Sequence, residues 1–232
     1  MELITNFQRD FAMETDLFYR RLPHWHPANA MYFVTFRLEG SLSQETIETL
    51  RREREEAEQR LKQEFQGKAL AEEKYKTFKK MFTRYDDLLA TSEGICWLAD
   101  EPVAKIVRDE IHALHPGTYH LIAYCIMPNH VHLLIDLQDT PEPAPLKEGQ
   151  HYTALSHAMK LLKGRTGHAC RKLVGGRGPF WQHESYDHVV RNHHEFENII
   201  SYILNNPVKA GLVKDWQEWP YLYVEITCRE NP

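Results

Sequence analysis

Residues 119–137 read YHLIAYCI at 119–126, MPN at 127–129 and HVHLLIDL at 130–137. Two apolar runs of strand length flank a three-residue turn, which predicts an antiparallel hairpin. Within a strand, residues i and i+2 point to the same face. His130 and His132 therefore sit side by side, with Cα atoms about 6.6 Å apart at the usual rise. Two imidazoles at that separation can converge on one divalent ion, while Val131 faces the core. The pair alone is a weak signal, because the chain holds 14 histidines and an exposed strand pair arises readily by chance.

Upstream, MYFVTFRL at 31–38 is aromatic and β-branched, a second strand that EGS at 39–41 ends. Ser43 precedes a helix start, and Ile47, Leu50, Ala57 and Leu61 form a sparse apolar stripe. A second helix is expected over about 69–90, with Tyr75, Phe78, Met81, Phe82, Tyr85 and Leu89 on one face. Between 44 and 93 there are 11 Lys/Arg against 12 Asp/Glu, the composition of a solvated helical hairpin. Residues 100–114 carry Val103, Ile106, Val107, Ile111 and Leu114, an amphipathic helix. Residues 1–30, with HWHP at 24–27, read as an arm or loop.

Downstream, 152–173 is helical in pattern, with Leu155, Met159, Leu162 and Cys170 on its apolar face. GGRGP at 175–179 breaks it, FWQHESYDHVVR at 180–191 is strand or irregular, and 193–205 is helical with Phe196, Ile199, Ile200, Ile203 and Leu204. Pro207 is expected to end that helix.

The 232 residues, 42% apolar, suffice for one sizeable domain or a domain with an insertion. A net charge of −5 argues against a generally basic coat. Residues 151–215, however, hold nine Lys/Arg against five Asp/Glu, plus His151, His157, His168, His183, His188, His193 and His194. That third is the expected polyanion-facing part. Cys96, Cys125, Cys170 and Cys228 contain no CxxC pair, so free thiols are expected rather than a zinc ribbon or disulfides. No basic start leads into an apolar run and no stretch has membrane length, so a soluble cytoplasmic protein is expected.

Tyr202 and Asn206 lie four residues apart, on one face of their helix. A phenol can attack phosphorus once a nearby cation or base helps it ionise, its ordinary pKa being about 10. An asparagine carbonyl is a hard oxygen ligand suited to Mg²⁺ or Mn²⁺. The same pair also reads as a core tyrosine and a helix-capping asparagine. In GGRGPFW at 175–181, Arg177 can reach a phosphate and Trp181 can stack on a base. A flexible turn followed by a core aromatic has the same sequence. The stretch is not a nucleotide P-loop.

YCIMPNHVHLLI at 124–135 resembles the HUH segment of single-tyrosine transposases, with Val131 as the hydrophobic U. FWQHESYDHVVR at 180–191 and YILNNPVKAGLV at 202–213 resemble, in the same order, the downstream blocks of the REP-associated tyrosine transposases. The resemblance covers roughly 119–220 and the MYFVTFRL strand. It implies an α+β fold, a ferredoxin-like sandwich with a central antiparallel sheet, the histidines on a central strand and the tyrosine helix across from it. By position it implies that His130, His132 and Asn206 hold Mg²⁺ or Mn²⁺ and that Tyr202 is the nucleophile. The implied reaction is cleavage and rejoining of single-stranded or hairpin DNA through a 5′-phosphotyrosine link, without ATP. The helical region at about 41–93 departs from the compact core of that family and reads as an insertion in a single domain, extending a DNA surface or meeting a partner.

Lys160, Lys163, Arg165, Arg177, Trp181, Arg191 and Lys209 are the candidate DNA contacts. Both a monomer and a tyrosine-exchanging homodimer fit the resemblance. Two rival readings are a hairpin-binding protein that has lost the chemistry and a metal-dependent nuclease with water as nucleophile. The presence of both histidines, the tyrosine and the asparagine argues against the first. The second would leave no protein-linked DNA.

Overall fold

The computed structural model describes residues 17–19, 23–25, 27–141, 143–144 and 152–225. His26, His151, Cys228 and most of the expected N-terminal arm lie outside the described residues. Within the arm, β1 (Leu17–Tyr19) and β2 (Pro23–Trp25) pair as a small antiparallel sheet rather than a loop.

The chain divides into two compact units, Glu39–Cys96 and the remainder, Met1–Leu38 with Trp97–Pro232. The larger unit is built on β3 (Met31–Arg37), α3 (Glu101–Ala113), β4 (His120–Ile126), β5 (His130–Asp136), α4 (Ala154–Val174), β6 (Tyr186–Val189), α5 (His193–Lys209) and β7 (Leu222–Val224). Its sheet has the order β6-β3-β5-β4-β7, and every pairing is antiparallel. The first four strands, with α3 and α4 as crossovers, reproduce the split βαββαβ arrangement of the ferredoxin-like sandwich. The fold class expected from the resemblance is therefore observed.

β5 is the middle strand, and all seven of its residues are buried. The HVHLLID run is buried on both faces because both are covered. On one face Phe36 of β3, in register with Val131, meets Trp181 edge-on at 4.8 Å. Tyr124, in register with Leu133, reaches His112 of α3 at 3.2 Å. α3 and α4 cover this face, and the buried Cys170 sulfur of α4 lies 3.9 Å from the Val103 carbonyl of α3. Burial pushes the Cys170 thiol up to about 12. On the opposite face, carrying His130 and His132, α5 packs.

Two differences from the expected elements have local causes. α5 does not stop at Pro207 but runs to Lys209. A proline forfeits its own N–H and crowds the carbonyl four residues back, yet α5 continues for two further residues. The terminator is Gly211, at φ +71°, whose N–H donates to the Val208 carbonyl while Leu212 N–H donates to Pro207. That is a Schellman stop. β7, a three-residue edge strand on β4, was not anticipated from the sequence.

The smaller unit is a helical pair, α1 (Gln44–Glu64) and α2 (Gly67–Ala90). Ser43 caps α1 by accepting from Thr46 N–H at 3.1 Å. Arg84 of α2 meets Glu53 of α1 at 3.0 Å. At the base of the pair Ile95 N–H donates to the Gly40 carbonyl at 3.2 Å, and a Cβ on Gly94 would lie 2.4 Å from the Ser41 carbonyl oxygen. Only glycine fits that closure. Among the described residues no helix is long and apolar enough to cross a membrane.

Candidate metal centre and tyrosine site

The site face of β5 presents His130 and His132, both fully buried, with Thr35 of β3 in register with His132 and Arg37 in register with His130. The two Nε2 atoms are 3.0 Å apart. Nitrogens so spaced subtend roughly 90° at an ion about 2.1 Å from each, a usual metal–imidazole length. Two adjacent positions of one divalent coordination sphere therefore fit the pair. His130 Nδ1 lies 2.6 Å from the Asn129 side-chain oxygen, and His132 Nδ1 lies 2.8 Å from the Thr35 hydroxyl.

α5 brings the other members. Asn206 is buried, with its side-chain nitrogen 3.0 Å from His132 Nε2. It does not cap the helix. As oriented, the amide donates to the imidazole. A half-turn about its last torsion gives the same outline with the oxygen facing the histidines, the orientation a metal ligand requires. Tyr202, half-buried one turn earlier, meets His132 edge-on at 5.3 Å between ring centroids. Phe33 stacks on His132 at 5.7 Å and meets Tyr202 edge-on at 5.9 Å. The four residues singled out from sequence thus lie together, although α5 and β5 are some seventy positions apart.

The candidate DNA contacts divide. Lys160, Arg177 and Lys209 are exposed. Arg177 is at the tip of a loop that Arg171 folds by donating to the Gly175 carbonyl at 3.2 Å and stacking on Trp97 at 4.7 Å. Gly175, Gly176 and Gly178, at φ +73°, +85° and +89°, give this loop a path that other residues rarely follow. Arg165 is exposed but paired with Glu110 at 2.9 Å, and Arg191 is half-buried.

Two of the candidates already have partners within the chain. Lys163 is half-buried. Its ammonium donates to the Gln182 and His183 carbonyls at 2.7 and 2.8 Å and to the Ser185 hydroxyl at 3.1 Å, which occupies its three donors. Trp181 is not an open stacking platform. It is 5% exposed, and its indole N–H donates to the Thr166 hydroxyl at 2.9 Å.

Sequence reasoning missed Phe33, Thr35, Arg37 and Asn129. Thr35 and Arg37 were visible only as polar residues inside an apolar strand, and Asn129 only as a turn residue.

No family model matches the chain. A Haemophilus influenzae protein with the provisional name REP-associated tyrosine transposase is 29% identical over 108 residues, 44% of this chain and 57% of that protein. The REP-associated tyrosine transposase of Escherichia coli K12 is 26% identical over 119 residues, 51% of this chain and 58% of that protein. The chain thus spans little more than half the length of these relatives. A solved structure of a REP-associated tyrosine transposase bound to a REP hairpin aligns with 88% of this chain and 80% of its own, at 20% identity and a TM-score of 0.43.

Proposed function

Because the chain is a relative of the REP-associated tyrosine transposases, we propose that it cleaves and rejoins single-stranded or hairpin DNA by tyrosine attack on a phosphodiester. The observation that carries this reading is the meeting of His130, His132 and Asn206 within 3.0 Å steps, with the Tyr202 ring against His132. A nucleophile and a metal-type donor set meet there from separate elements of the chain.

His130, His132 and Asn206 would hold Mg²⁺ or Mn²⁺, two imidazoles and one hard oxygen. Bound there, the ion supplies Lewis-acid polarisation of a phosphate oxygen. The Tyr202 phenolate oxygen forms a bond to phosphorus while the bond from phosphorus to the 3′ oxygen breaks. The departing oxygen takes a proton and becomes a 3′-hydroxyl, and the 5′ end stays on the tyrosine. Attack by a 3′-hydroxyl on that phosphotyrosine reverses the step and conserves the bond, so no nucleotide is consumed. Phe33, stacked on one ring and edge-on to the other, fixes the tyrosine against His132. Lys160, Arg177 and Lys209 would hold backbone phosphates, and affinity would fall with salt accordingly. The whole chain reads as one such domain with residues at about 41–93 inserted.

Incubation with end-labelled hairpin and single-stranded DNA and Mn²⁺, followed by a denaturing gel, tests this. The native chain should give a protein–DNA adduct, and Tyr202→Phe none. Adduct persisting in Tyr202→Phe removes the nucleophile assignment, and cleavage without adduct in the native chain indicates water as nucleophile.

A further inference from the structure

We infer that Asn129 and Thr35 are positioning residues that set the tautomers of His130 and His132, so that both rings aim Nε2 lone pairs at one point. The inference rests on the metal reading above, and its first measurement does not depend on that reading.

Three contacts lead to one protonation pattern. A side-chain carbonyl oxygen only accepts, so the 2.6 Å contact to the Asn129 oxygen requires His130 to carry its proton on Nδ1. In the metal-free chain the Asn206 side-chain nitrogen faces His132 and only donates, so the 3.0 Å contact makes His132 Nε2 an acceptor, and the amide makes its half-turn only when an ion takes the Nε2 lone pairs. The His132 proton is then on Nδ1, and the Thr35 hydroxyl accepts it at 2.8 Å. Both Nε2 atoms are left as acceptors 3.0 Å apart. Two lone pairs at that distance repel, and a cation between them turns the repulsion into attraction. The partners on Nδ1 hold the rings in this arrangement, as supporting groups do at metal sites.

Asn129 and Thr35 come from different elements, so each ring is set separately. Asn129 is the residue before its histidine and is 3% exposed, and Thr35 is 1% exposed on the neighbouring strand. Water does not compete freely for either contact.

Long-range ¹H–¹⁵N correlation on the metal-free, histidine-labelled full chain reads the tautomers directly. Both rings should appear as Nδ1–H. Asn129→Ala should let His130 populate the Nε2–H form, and Thr35→Val should do so for His132. Asn129→Asp and Thr35→Ser, which keep an acceptor, should retain Nδ1–H. Mn²⁺ titration should show about 10- to 100-fold weaker binding for Asn129→Ala and Thr35→Val, with the acceptor-keeping variants near native. A native ring protonated on Nε2 alone overturns the inference. So do folded Asn129→Ala and Thr35→Val proteins with unchanged tautomers and unchanged Mn²⁺ affinity. Native rings that are both Nδ1–H in a chain that binds no Mn²⁺ support the tautomer assignment and overturn the metal reading instead.

Discussion

The Lys163 ammonium has the charge of a phosphate contact and the surroundings of a structural clamp. Its three donors tie α4 to the segment leading into β6. Hydrogen bonds to a charged group are worth about 1.5–3 kcal/mol, more than a solvent-exposed lysine contributes. Lys163→Met should therefore lower unfolding stability by roughly that amount and leave the salt dependence of DNA binding unaltered. Lys160→Ala should do the reverse, with stability held and the slope of log K against log salt reduced by about 1. Urea denaturation and binding at several salt concentrations separate the two. Composition could not make this distinction, because a lysine in a basic segment looks alike whether it meets carbonyls or water. His130, His132, Tyr202 and Asn206 were legible because motif order carried them. Thr35 was not, since its contact with His132 spans 97 positions and exists only once β3 and β5 are in register.

α5 is the element on which the proposed chemistry depends, and it is fastened at both ends. At its start Asn192 accepts from Glu195 N–H at 2.9 Å. The Glu195 carboxylate reaches back to Arg191 N–H at 3.0 Å and pairs with His188 of β6, also at 3.0 Å. His188 and Glu195 are both buried, and a buried donor left without its acceptor costs about 1–3 kcal/mol. Glu195→Ala should lose that much stability, whereas Asn192→Ala, which removes only the cap, should lose about 1 kcal/mol. Chemical denaturation measures both, and equal losses would remove the buried pair as the main fastening. The helix itself was legible from Ile199 and Ile203 at helical spacing. Its end was not, because Pro207 looks like a stop until Gly211 supplies the left-handed turn. β7 was illegible for another reason: three residues carry too little pattern, and their pairing with β4 is decided by distant chain.

At the scale of the molecule, the hairpin at 119–137, the strand at 31–38 and two amphipathic helices account for five of the six elements of the split βαββαβ order; the last strand lies in a stretch that reads equally as irregular, and the sandwich itself was implied by the resemblance. The inserted helices interrupt this order without altering it. Leu38 N–H donates to the Asn129 carbonyl at 2.9 Å and Leu98 N–H to the Pro128 carbonyl at 3.0 Å. The larger unit thus holds the two ends of the interruption on consecutive carbonyls of one turn. Replacing residues 39–96 by a short glycine–serine linker should leave a protein that unfolds in one transition, with lower helical circular dichroism and a smaller urea m-value. Absence of a cooperative transition would mean that the larger unit needs the inserted helices to fold.

The same pair of carbonyls bears on how fast the sheet can assemble. Closing a flexible loop costs more as it lengthens, about 0.6 kcal/mol for each doubling. Contacts distant along the chain also slow the search for the native topology. A helical pair that forms locally and draws Gly40 up to Ile95 removes its own length from that search. To β3 looking for β5, the chain then behaves as though much of the interruption were not there.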